Sequence, residues 1–338
     1  MMSKIESGVR RGGGGASAVS FLLLALLALP LLVAAYTLYD NRRVVVREEV
    51  VEISGLPPAF DGFTILQVSD LHGKRFGPGQ ERLLRTMAGL DYDGIALTGD
   101  MVENDEIDSE PFWELLAGLE GEAPIFYTSG NTGPFDIDLF TGERTPAGDA
   151  LEEAGVTLLD RPTSIVRGEA RLWIADMYLT HRSDAMIRNA RTMLETERDA
   201  AEKERLEGQV AYHEELKAAF SAIEEEDVLI GVVHYPLSPR GLERRSGGGR
   251  PPYDLILAGH YHGGQIRLPF YGALYVPGAT LPRRGWFPPQ ELVSGLIKRN
   301  STYQYVSRGL GASASVSLLN FRLFNPPEVN LIRLVAAR

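Results

Sequence analysis

Residues 255–262 read Leu-Ile-Leu-Ala-Gly-His-Tyr-His, an apolar run of four residues followed at once by Gly259-His260-Tyr261-His262. A short apolar run bounded by turn-forming residues is typical of a buried strand. The two histidines therefore lie where a strand ends. In open α/β sheets, ligands bind in the crevice outside the carboxyl ends of the strands. Residues 259–262 are therefore a candidate binding segment.

Four other apolar runs end in the same way, in residue types that bind metals. The runs cover residues 63–68, 94–97, 125–128 and 228–233. The segments that follow them are, in the same order, Asp70-Leu71-His72, Gly99-Asp100, Gly130-Asn131 and His234. Each match has little weight alone, but the same position after five runs indicates one shared site. Helical patterns between the runs, at residues 80–90 and 111–119, predict a layered α/β domain.

The side chains at these strand ends are four imidazoles, two carboxylates and one amide. They belong to Asp70, His72, Asp100, Asn131, His234, His260 and His262. Such donors suit zinc, manganese, iron and related divalent ions. The set is too large for one tetrahedral zinc site and fits two metals that share a carboxylate. The chain has no cysteine, so disulfides and thiolate sites are excluded.

The order of the segments resembles the calcineurin-like metallophosphoesterase family: D-x-H, G-D, G-N, a single histidine and G-H-x-H. The resemblance covers about residues 63–334, apart from 182–226. Two stretches are most similar to a membrane-anchored bacterial branch of the family: His-Gly-Gly-Gln at 262–265, and Val-Ser-Arg-Gly-Leu-Gly at 306–311, which leads to Pro-Glu-Val at 327–329. The resemblance implies a four-layer α/β fold, with two packed β-sheets flanked by helices, and a two-metal centre at the strand ends.

The resemblance also implies a role for each ligand. One metal would be held by Asp70, His72 and His262, the other by Asn131, His234 and His260, with Asp100 bridging them. Two divalent ions about 3.5–4 Å apart can generate hydroxide at neutral pH and stabilise the phosphoryl oxygens. We therefore expect hydrolysis of a phosphodiester or pyrophosphate bond by a metal-bridging hydroxide. The residues predicted to act in the reaction are Asp100, Asn131, Thr132 and His234.

The third segment departs from the family pattern. The family has G-N-H there, with a histidine thought to protonate the leaving oxygen, whereas this chain has Thr132. A threonine hydroxyl does not titrate near pH 7, so general-acid help of about 10²–10⁴-fold is in doubt. Three interpretations stay open. The leaving group needs no proton, or Tyr235, Tyr261 or Asp136 replaces the histidine, or the protein is a degenerate phosphate-binding or scaffold protein with little turnover.

An uncharged stretch precedes the α/β region, because no residue from 12 to 39 carries a charge. About 20 apolar residues at 1.5 Å each cross a hydrocarbon core of roughly 30 Å. We predict a transmembrane anchor at 16–39 after a basic, glycine-rich tail at 1–15. A cleaved signal peptide with Lys4, Arg10 and Arg11 as its basic region is the alternative. The flanking charges leave orientation open, and similarity to a signal anchor favours an extracytoplasmic domain.

The rest of the chain, 43–338, is expected to form one metallophosphoesterase domain with a helical insertion at 182–226. The insertion is highly charged, and we expect two helices broken near Gly208. It either packs on the domain surface or serves as a partner-binding arm. The chain has 34 Lys and Arg against 45 Asp and Glu, a net charge of −11. No nucleic-acid partner is expected at this charge.

Two stretches bear on the substrate. Residues 238–252 are rich in Gly, Pro and Arg and predict a mobile loop. Its arginines could close over an anionic headgroup or could form a solvated basic loop; they are Arg240, Arg244, Arg245 and Arg250. Trp286 and Phe287 follow two arginines, a mixture found at membrane interfaces, although both could also pack in the core. The expected partners are therefore the lipid bilayer and a phosphoester substrate, with a lipid-linked one favoured.

Overall fold

A computed structural model describes residues 14–103, 110–245, 253–276, 281, 285–313 and 321–337. Within them, two six-stranded sheets and one two-stranded sheet form. The strands are β1 Val45–Ile53, β2 Thr64–Val68, β3 Gly94–Leu97, β4 Ile125–Tyr127, β5 Val156–Leu158, β6 Thr163–Arg167, β7 Ala170–Asp176, β8 Leu229–Val232, β9 Leu255–Ala258, β10 Arg267–Leu268, β11 Gly272–Ala273, β12 Gly295–Arg299, β13 Thr302–Val306 and β14 Glu328–Ala336. The helices are α1 Gly14–Asp40, α2 Glu81–Met87, α3 Glu110–Leu119, α4 Pro146–Glu153, α5 Met177–Leu194, α6 Ala200–Phe220, α7 Pro239–Arg245 and α8 Gln290–Val293.

The first sheet has the strand order β1-β14-β2-β3-β4-β5. Strands β2 to β5 are parallel, and α2, α3 and α4 connect them. Parallel neighbours require such crossover connections. Strand β14 pairs antiparallel with β2 and parallel with β1. The carboxyl ends of β2, β3 and β4 consequently lie at one edge, just before Asp70, Asp100 and Asn131.

The second sheet has the order β12-β13-β9-β8-β7-β6. Its four central strands are parallel, and β6 and β12 pair antiparallel at the two edges. The carboxyl ends of β8 and β9 lead into His234 and His260. Each sheet therefore contributes part of the predicted ligand set from the same kind of position.

The hydrophobic core lies between the two sheets. Ile65 and Phe126 of the first sheet belong to one buried cluster with Ile230 and Leu257 of the second. Both β2 and β8 are buried along their full length, which explains their continuous apolar sequences. Helices cover the outer face of each sheet, α2 to α4 on the first and α6 and α7 on the second. This mixed α/β arrangement of two sheets flanked by helices agrees with the expected fold class.

The charged stretch forms two helices, but their bounds differ from the expected ones. Helix α5 begins at Met177, and the break lies at residues 195–199 rather than at Gly208, which is inside α6. The side chain of Asp199 accepts a hydrogen bond from the N–H of Glu202 and so starts α6. An interior glycine costs a helix only about 1 kcal/mol. The buried contacts of Phe220 with the second sheet outweigh that cost.

The segment at 238–252 also differs from the prediction of a mobile loop. Residues Pro239–Arg245 form α7, and Leu242 is buried against the second sheet. Residues 246–252, which include Arg250, lie outside the described residues. Trp286 and Phe287 are exposed, so core packing was the wrong alternative for both.

Helix α1 extends the predicted anchor by two residues at its start and one at its end. Its window Leu23–Asp40 has mean hydropathy 1.9, with 6% of it buried. By length and composition it could be a membrane anchor, and a signal sequence would meet the same criteria. Its last turn contacts the α/β domain, because the rings of Tyr36 and Phe324 lie 5.3 Å apart. The side-chain amide of Asn41 donates to the carbonyl of Arg322 at 2.6 Å.

Candidate metal centre

Backbone hydrogen bonds draw the strand ends of the two sheets into one crevice. The N–H of Asp70 donates to the carbonyl of Gly99, and that of His72 to the carbonyl of Asp100, each at 3.0 Å. The link between the sheets is the N–H of His260, which donates to Asp70 Oδ1 at 2.9 Å. Asp70, Asp100 and His260, from three distant parts of the sequence, therefore share one site.

Asp70, His72 and His262 form a first cluster. Each offers one ligand atom, and these atoms lie within 4.8 Å of one another. The Nε2 atoms of His72 and His262 are 3.2 Å apart, and His262 Nε2 is 3.5 Å from Asp70 Oδ1. All three residues are buried. Two imidazole nitrogens that face each other at this distance can share a proton or bind a common cation.

Asp100, His234 and His260 form a second cluster, again with ligand atoms within 4.8 Å of one another. His234 Nε2 lies 3.1 Å from His260 Nδ1 and 3.2 Å from Asn131 Oδ1. The other ring nitrogen, His234 Nδ1, lies 2.9 Å from the carbonyl oxygen of Thr98. A proton on Nδ1 donated to this carbonyl leaves Nε2 with its lone pair toward the cluster.

Asp100 connects the two clusters. Its Oδ2 atom lies 3.1 Å from His234 Nε2 and 3.6 Å from His72 Nε2. Its Oδ1 atom accepts the N–H groups of Asn131 at 2.6 Å and Thr132 at 2.9 Å. One carboxylate oxygen is thus held by the backbone while the other faces both groups of imidazoles. This is the position that a shared carboxylate ligand would occupy.

The backbone at the strand ends has left-handed conformations. The residues with positive φ include five of the seven predicted ligands: Asp70 at 51°, His72 at 48°, Asp100 at 53°, His260 at 72° and His262 at 50°. Such angles are uncommon outside glycine and cluster at functional sites.

Two glycines allow the close packing around the acids. A Cβ at Gly130 would lie 2.0 Å from Asp100 Oδ1, and one at Gly259 would lie 2.5 Å from Asp70 Oδ2. Real side chains do not approach so closely, so a larger residue would displace the carboxylates. The glycines of Gly130-Asn131 and Gly259-His260 therefore make room for the predicted ligands next to them.

Burial and mutual charge shift the pKa values of the cluster. Burial opposes ionisation of Asp100, but hydrogen bonding and charge from His234, with charge from His72, hold its pKa well below the usual range. Burial lowers the pKa of His260 to about 4 and, with the charge of His72, that of His262 far below normal. Neutral imidazoles and ionised carboxylates are the forms that bind metals. The shifts of these three residues favour the metal-binding forms, whereas burial raises the pKa of Asp70. The donor types themselves, carboxylate, imidazole and amide oxygen, fit divalent cations.

The pKa values of His72 and His234 shift in the opposite direction, upward. Burial lowers their pKa values, but the carboxylates around them raise both above the normal value: Glu103 and Asp100 for His72, and Asp100 and Asp70 for His234. The buried acids therefore attract positive charge. Protonation of His72 and His234 would supply such charge, and a bound cation would displace these protons.

The structure gives Thr132 a structural contact. Its hydroxyl donates to the carbonyl of Val102 at 2.5 Å, so its proton is engaged by the backbone. Among the suggested replacements, the ring of Tyr235 lies 4.3 Å from that of His260. Tyr261 is buried in a separate apolar cluster. Asp136 is buried too; burial and the charge of Asp176 raise its pKa to about 7.

The predicted substrate arginines are only partly described. Arg240 is exposed at the start of α7, and Arg244 and Arg245 lie at its end, where only the backbone is described. Arg250 lies outside the described residues. Contact of these arginines with a substrate stays a prediction.

Three residues near the clusters were missed from the sequence. Glu103 Oε2 lies 2.8 Å from His72 Nδ1. Its position three residues after Asp100 was the available signal. The carbonyl of His262 accepts hydrogen bonds from Arg322 at 3.3 Å and from the amide of Asn325 at 2.7 Å. Arg322 and Asn325 are about 60 residues away in sequence, and no motif pointed to them.

No family model matches the chain. Three curated proteins are similar to it over most of its length. The metallophosphoesterase YkuE of Bacillus subtilis (strain 168) is 24% identical over 294 residues, which cover 85% of this chain and 84% of the relative. The phosphodiesterase YaeI of Escherichia coli (strain K12) is 26% identical over 285 residues, 81% of this chain and 82% of the relative. Metallophosphoesterase YkoQ of B. subtilis is 26% identical over 314 residues, 90% and 97% of the two chains. These relatives support the metallophosphoesterase family.

At the family level, their names indicate phosphoesterase activity and therefore a hydrolase. They also imply divalent metals, in agreement with the two clusters. Among solved structures, the phosphopantetheinyl hydrolase PptH of Mycobacterium tuberculosis matches 74% of this chain and 91% of its own, at 14% identity and a TM-score of 0.38. The membrane-anchored branch of the family stays a prediction.

Proposed function

We propose that this chain is a membrane-anchored, two-metal phosphoesterase that hydrolyses a phosphodiester or pyrophosphate bond. The observation that carries the proposal is the position of Asp100. Its Oδ2 atom faces imidazoles of both clusters, and its Oδ1 atom is held by two backbone N–H groups. A carboxylate that only capped a loop would need no contact with one histidine from each of two separate clusters.

The proposed ligands are Asp70, His72 and His262 for one ion, Asn131, His234 and His260 for the other, and Asp100 for both. When bound, two such ions supply an activated water and positive charge for the phosphoryl oxygens. The chain's own residues orient these ligands: Thr98 holds the ring of His234, and Ser69 donates to Asp70 Oδ2 at 2.5 Å. Two carboxylates against two divalent ions leave a net charge of about +2, which attracts an anionic phosphoester.

The proposed location follows from α1. A single-pass anchor at the N-terminus would hold the domain against the bilayer, on the extracytoplasmic side. Only a few residues separate α1 from β1, so the metal centre would remain close to lipid headgroups. A lipid-linked phosphoester is the substrate class that fits this tether.

The test compares the purified full chain with an Asp100→Asn variant, each loaded in turn with manganese, iron or zinc. The substrates are a phosphomonoester, bis-p-nitrophenyl phosphate and pyrophosphate. We expect wild-type hydrolysis and at least a 100-fold loss in the variant, because the shared ligand becomes neutral. Asp199→Asn is the matched control, because asparagine also caps helices and Asp199 caps α6. Equal rates for wild type and Asp100→Asn would contradict the proposal.

A second candidate function is a phosphate-binding protein with little turnover. The contact between the Thr132 hydroxyl and the Val102 carbonyl favours it, because this proton is already engaged. Thr132→His separates the two candidates. A large gain in turnover would indicate a centre that lacks its acid, whereas a loss would indicate that Thr132 belongs to a working mechanism.

A further inference from the structure

A group of exposed apolar side chains lies on the β10–β11 hairpin and on the two segments that pair with it, at residues 286–287 and 321–325. Outside α1, twelve large hydrophobic side chains of the described residues are exposed, and six of them belong to this group, here called the aromatic edge. Its members are Leu268, Phe270, Tyr271, Trp286, Phe287 and Phe321. Phe270 is 111% exposed, Trp286 55% and Phe287 49%. Exposed large apolar side chains that gather in one part of a surface indicate an interaction site.

The aromatic edge is an ordered structure rather than a set of scattered side chains. Strands β10 and β11 form a hairpin with Phe270 in its turn. The N–H of Phe287 donates to the carbonyl of Leu274 at 2.8 Å. The rings of Tyr271 and Phe287 lie 5.9 Å apart, and those of Trp286 and Phe287 6.3 Å apart. The fold therefore holds these aromatic rings in place while leaving them exposed.

The edge is connected to the end of α1. Leu323 forms a bridge with Ile266, and its carbonyl accepts the N–H of Arg267 at the start of the hairpin. The next residue, Phe324, packs against Tyr36 of α1. Residues 321–325 thus join the hairpin to the last turn of the proposed anchor.

That last turn has the composition of a membrane interface. Tyr36 and Tyr39 are exposed, and the guanidinium of Arg43 lies 5.9 Å from the Tyr39 ring. Tyrosines and arginines at a helix end mark the level of the lipid headgroups. The aromatic edge is joined to α1 at the level of the headgroups, and its Trp, Tyr and Phe rings are side chains that enter the headgroup layer.

We propose that the aromatic edge inserts into the lipid interface beside the exit of α1, as a second membrane contact. The hairpin also packs against the His262 loop, since a Cβ at Gly264 would lie 2.3 Å from Ala273 Cβ. Insertion therefore brings that loop to the membrane surface. The substrate that fits is a phosphoester carried by a membrane lipid, an inference that rests on the proposed function.

The absence of cysteine from the chain allows single-cysteine labelling of the full protein. Phe270→Cys, carrying an environment-sensitive fluorophore, is reconstituted into phosphatidylcholine and phosphatidylglycerol vesicles. We expect a blue-shifted emission and protection from a water-soluble quencher. Phe140→Cys is the matched control, because Phe140 is also an exposed aromatic, 52%, and contacts Arg205 of α6. Leu27→Cys, with the same fluorophore, measures whether α1 itself lies in the bilayer.

The three labels separate the possible failures. Protection at residue 27 with residue 270 as accessible as residue 140 would overturn the aromatic edge proposal alone. Accessibility at both 27 and 270 would contradict the anchor itself. Protection at 270 that rises with protein density in the vesicles would indicate a second copy of the chain and would overturn the lipid assignment.

A kinetic measurement tests the substrate class. Phe270→Ser should lower kcat/KM by about tenfold toward a phosphoester lipid in vesicles, because the exposed ring no longer enters the bilayer. Hydrolysis of soluble bis-p-nitrophenyl phosphate should be unchanged. Equal activity of wild type and variant on the vesicle substrate would refute the inference while leaving the metal centre intact.

Discussion

Thr132→Val distinguishes a structural threonine from a catalytic one. The substitution keeps the shape of the side chain and removes only the hydroxyl, which donates to the Val102 carbonyl at 2.5 Å. The backbone N–H of Thr132, which donates to Asp100 Oδ1 at 2.9 Å, remains. The variant therefore isolates one hydrogen bond from the other support that this residue gives to the site.

The expected loss of stability is that of one partly buried hydrogen bond, about 0.5–1.5 kcal/mol in the free energy of unfolding. The expected change in kcat is less than threefold, because a hydroxyl bonded to the backbone has no proton to deliver. A catalytic role would instead cost about 10²–10⁴-fold, at least about 2.7 kcal/mol of activation free energy. Urea unfolding in detergent and steady-state hydrolysis of bis-p-nitrophenyl phosphate measure the two quantities.

Thr64→Val is the matched control for this experiment. The Thr64 hydroxyl donates to the carbonyl of Gly62 at 3.0 Å, at the end of β2 opposite to the metal centre. Both variants should lose similar stability and retain activity. If Thr132→Val loses 100-fold or more in kcat with an unchanged free energy of unfolding, the structural interpretation of Thr132 is wrong.

Three further predictions concern the candidate metal centre and a buried acid, and a fourth variant, on α6, is a control for the last of them. Asn325→Ala should weaken metal binding about 10- to 100-fold, because its amide donates to the His262 carbonyl at 2.7 Å; competition with a chromophoric chelator measures this, and unchanged affinity would exclude a positioning role. Asp136→Asn should flatten the pH dependence of stability, because burial raises the pKa of this carboxyl from 3.8 to about 7. The folded wild type retains a proton that the unfolded chain has lost, so its stability falls as pH rises from about 4 to 7. Urea titrations give the free energy of unfolding at pH 4.5 and 7.5, and an equal change between the two pH values in wild type and variant would contradict this prediction. Gly259→Ala should reduce both metal affinity and melting temperature, because a Cβ there would lie 2.5 Å from a carboxylate oxygen of the first cluster. Gly208→Ala, in open space on α6, should instead raise the free energy of unfolding by about 0.5–1 kcal/mol. A higher melting temperature for Gly259→Ala than for Gly208→Ala would refute both expectations.

The central parallel strands were predictable because their signal is local. Both β3 and β9 coincide with apolar runs seen in the sequence, since strands buried on both faces need continuous apolar residues. The edge strands β6 and β12 are only partly buried and lack such runs. Strand β14 inserts between β1 and β2, far away in the chain. Its place depends on long-range pairing that local composition does not encode.

The helical insertion illustrates a competition between two local signals. The sequence interpretation gave the greater weight to Gly208, because glycine disfavours helix. In the structure, α6 begins directly after Asp199, whose side chain caps the helix. A cap satisfies N–H groups that would otherwise lack partners, whereas one interior glycine costs only part of the free energy that burial of α6 provides.

The positions of the candidate ligands could be predicted from topology, but the contacts that support them could not. Parallel strands place their carboxyl ends together, so polar residues after five apolar runs could be expected to meet. The contacts that orient the ligands come from unrelated places. Arg322 and Asn325 reach the His262 carbonyl from a segment near the C-terminus, and a single sequence contains no pattern that links such positions.

The backbone strain and the buried charge of the site have a common explanation. Five predicted ligands adopt positive φ, a conformation that costs an L-residue about 1–2 kcal/mol. A loop that needed only capped ends could avoid this cost with glycine or a wider turn. The left-handed turns accompany side chains that leave adjacent strands and meet in one crevice. There, the buried carboxylates of Asp70 and Asp100 require positive charge nearby. Protonation of His72 and His234 would meet this need in part, whereas burial disfavours the charged forms of His260 and His262. Two divalent ions would neutralise the acids and use all four imidazoles in their neutral form. Both carboxylates already accept hydrogen bonds from the fold, and bound cations would add the positive charge that offsets the remaining cost of burying them.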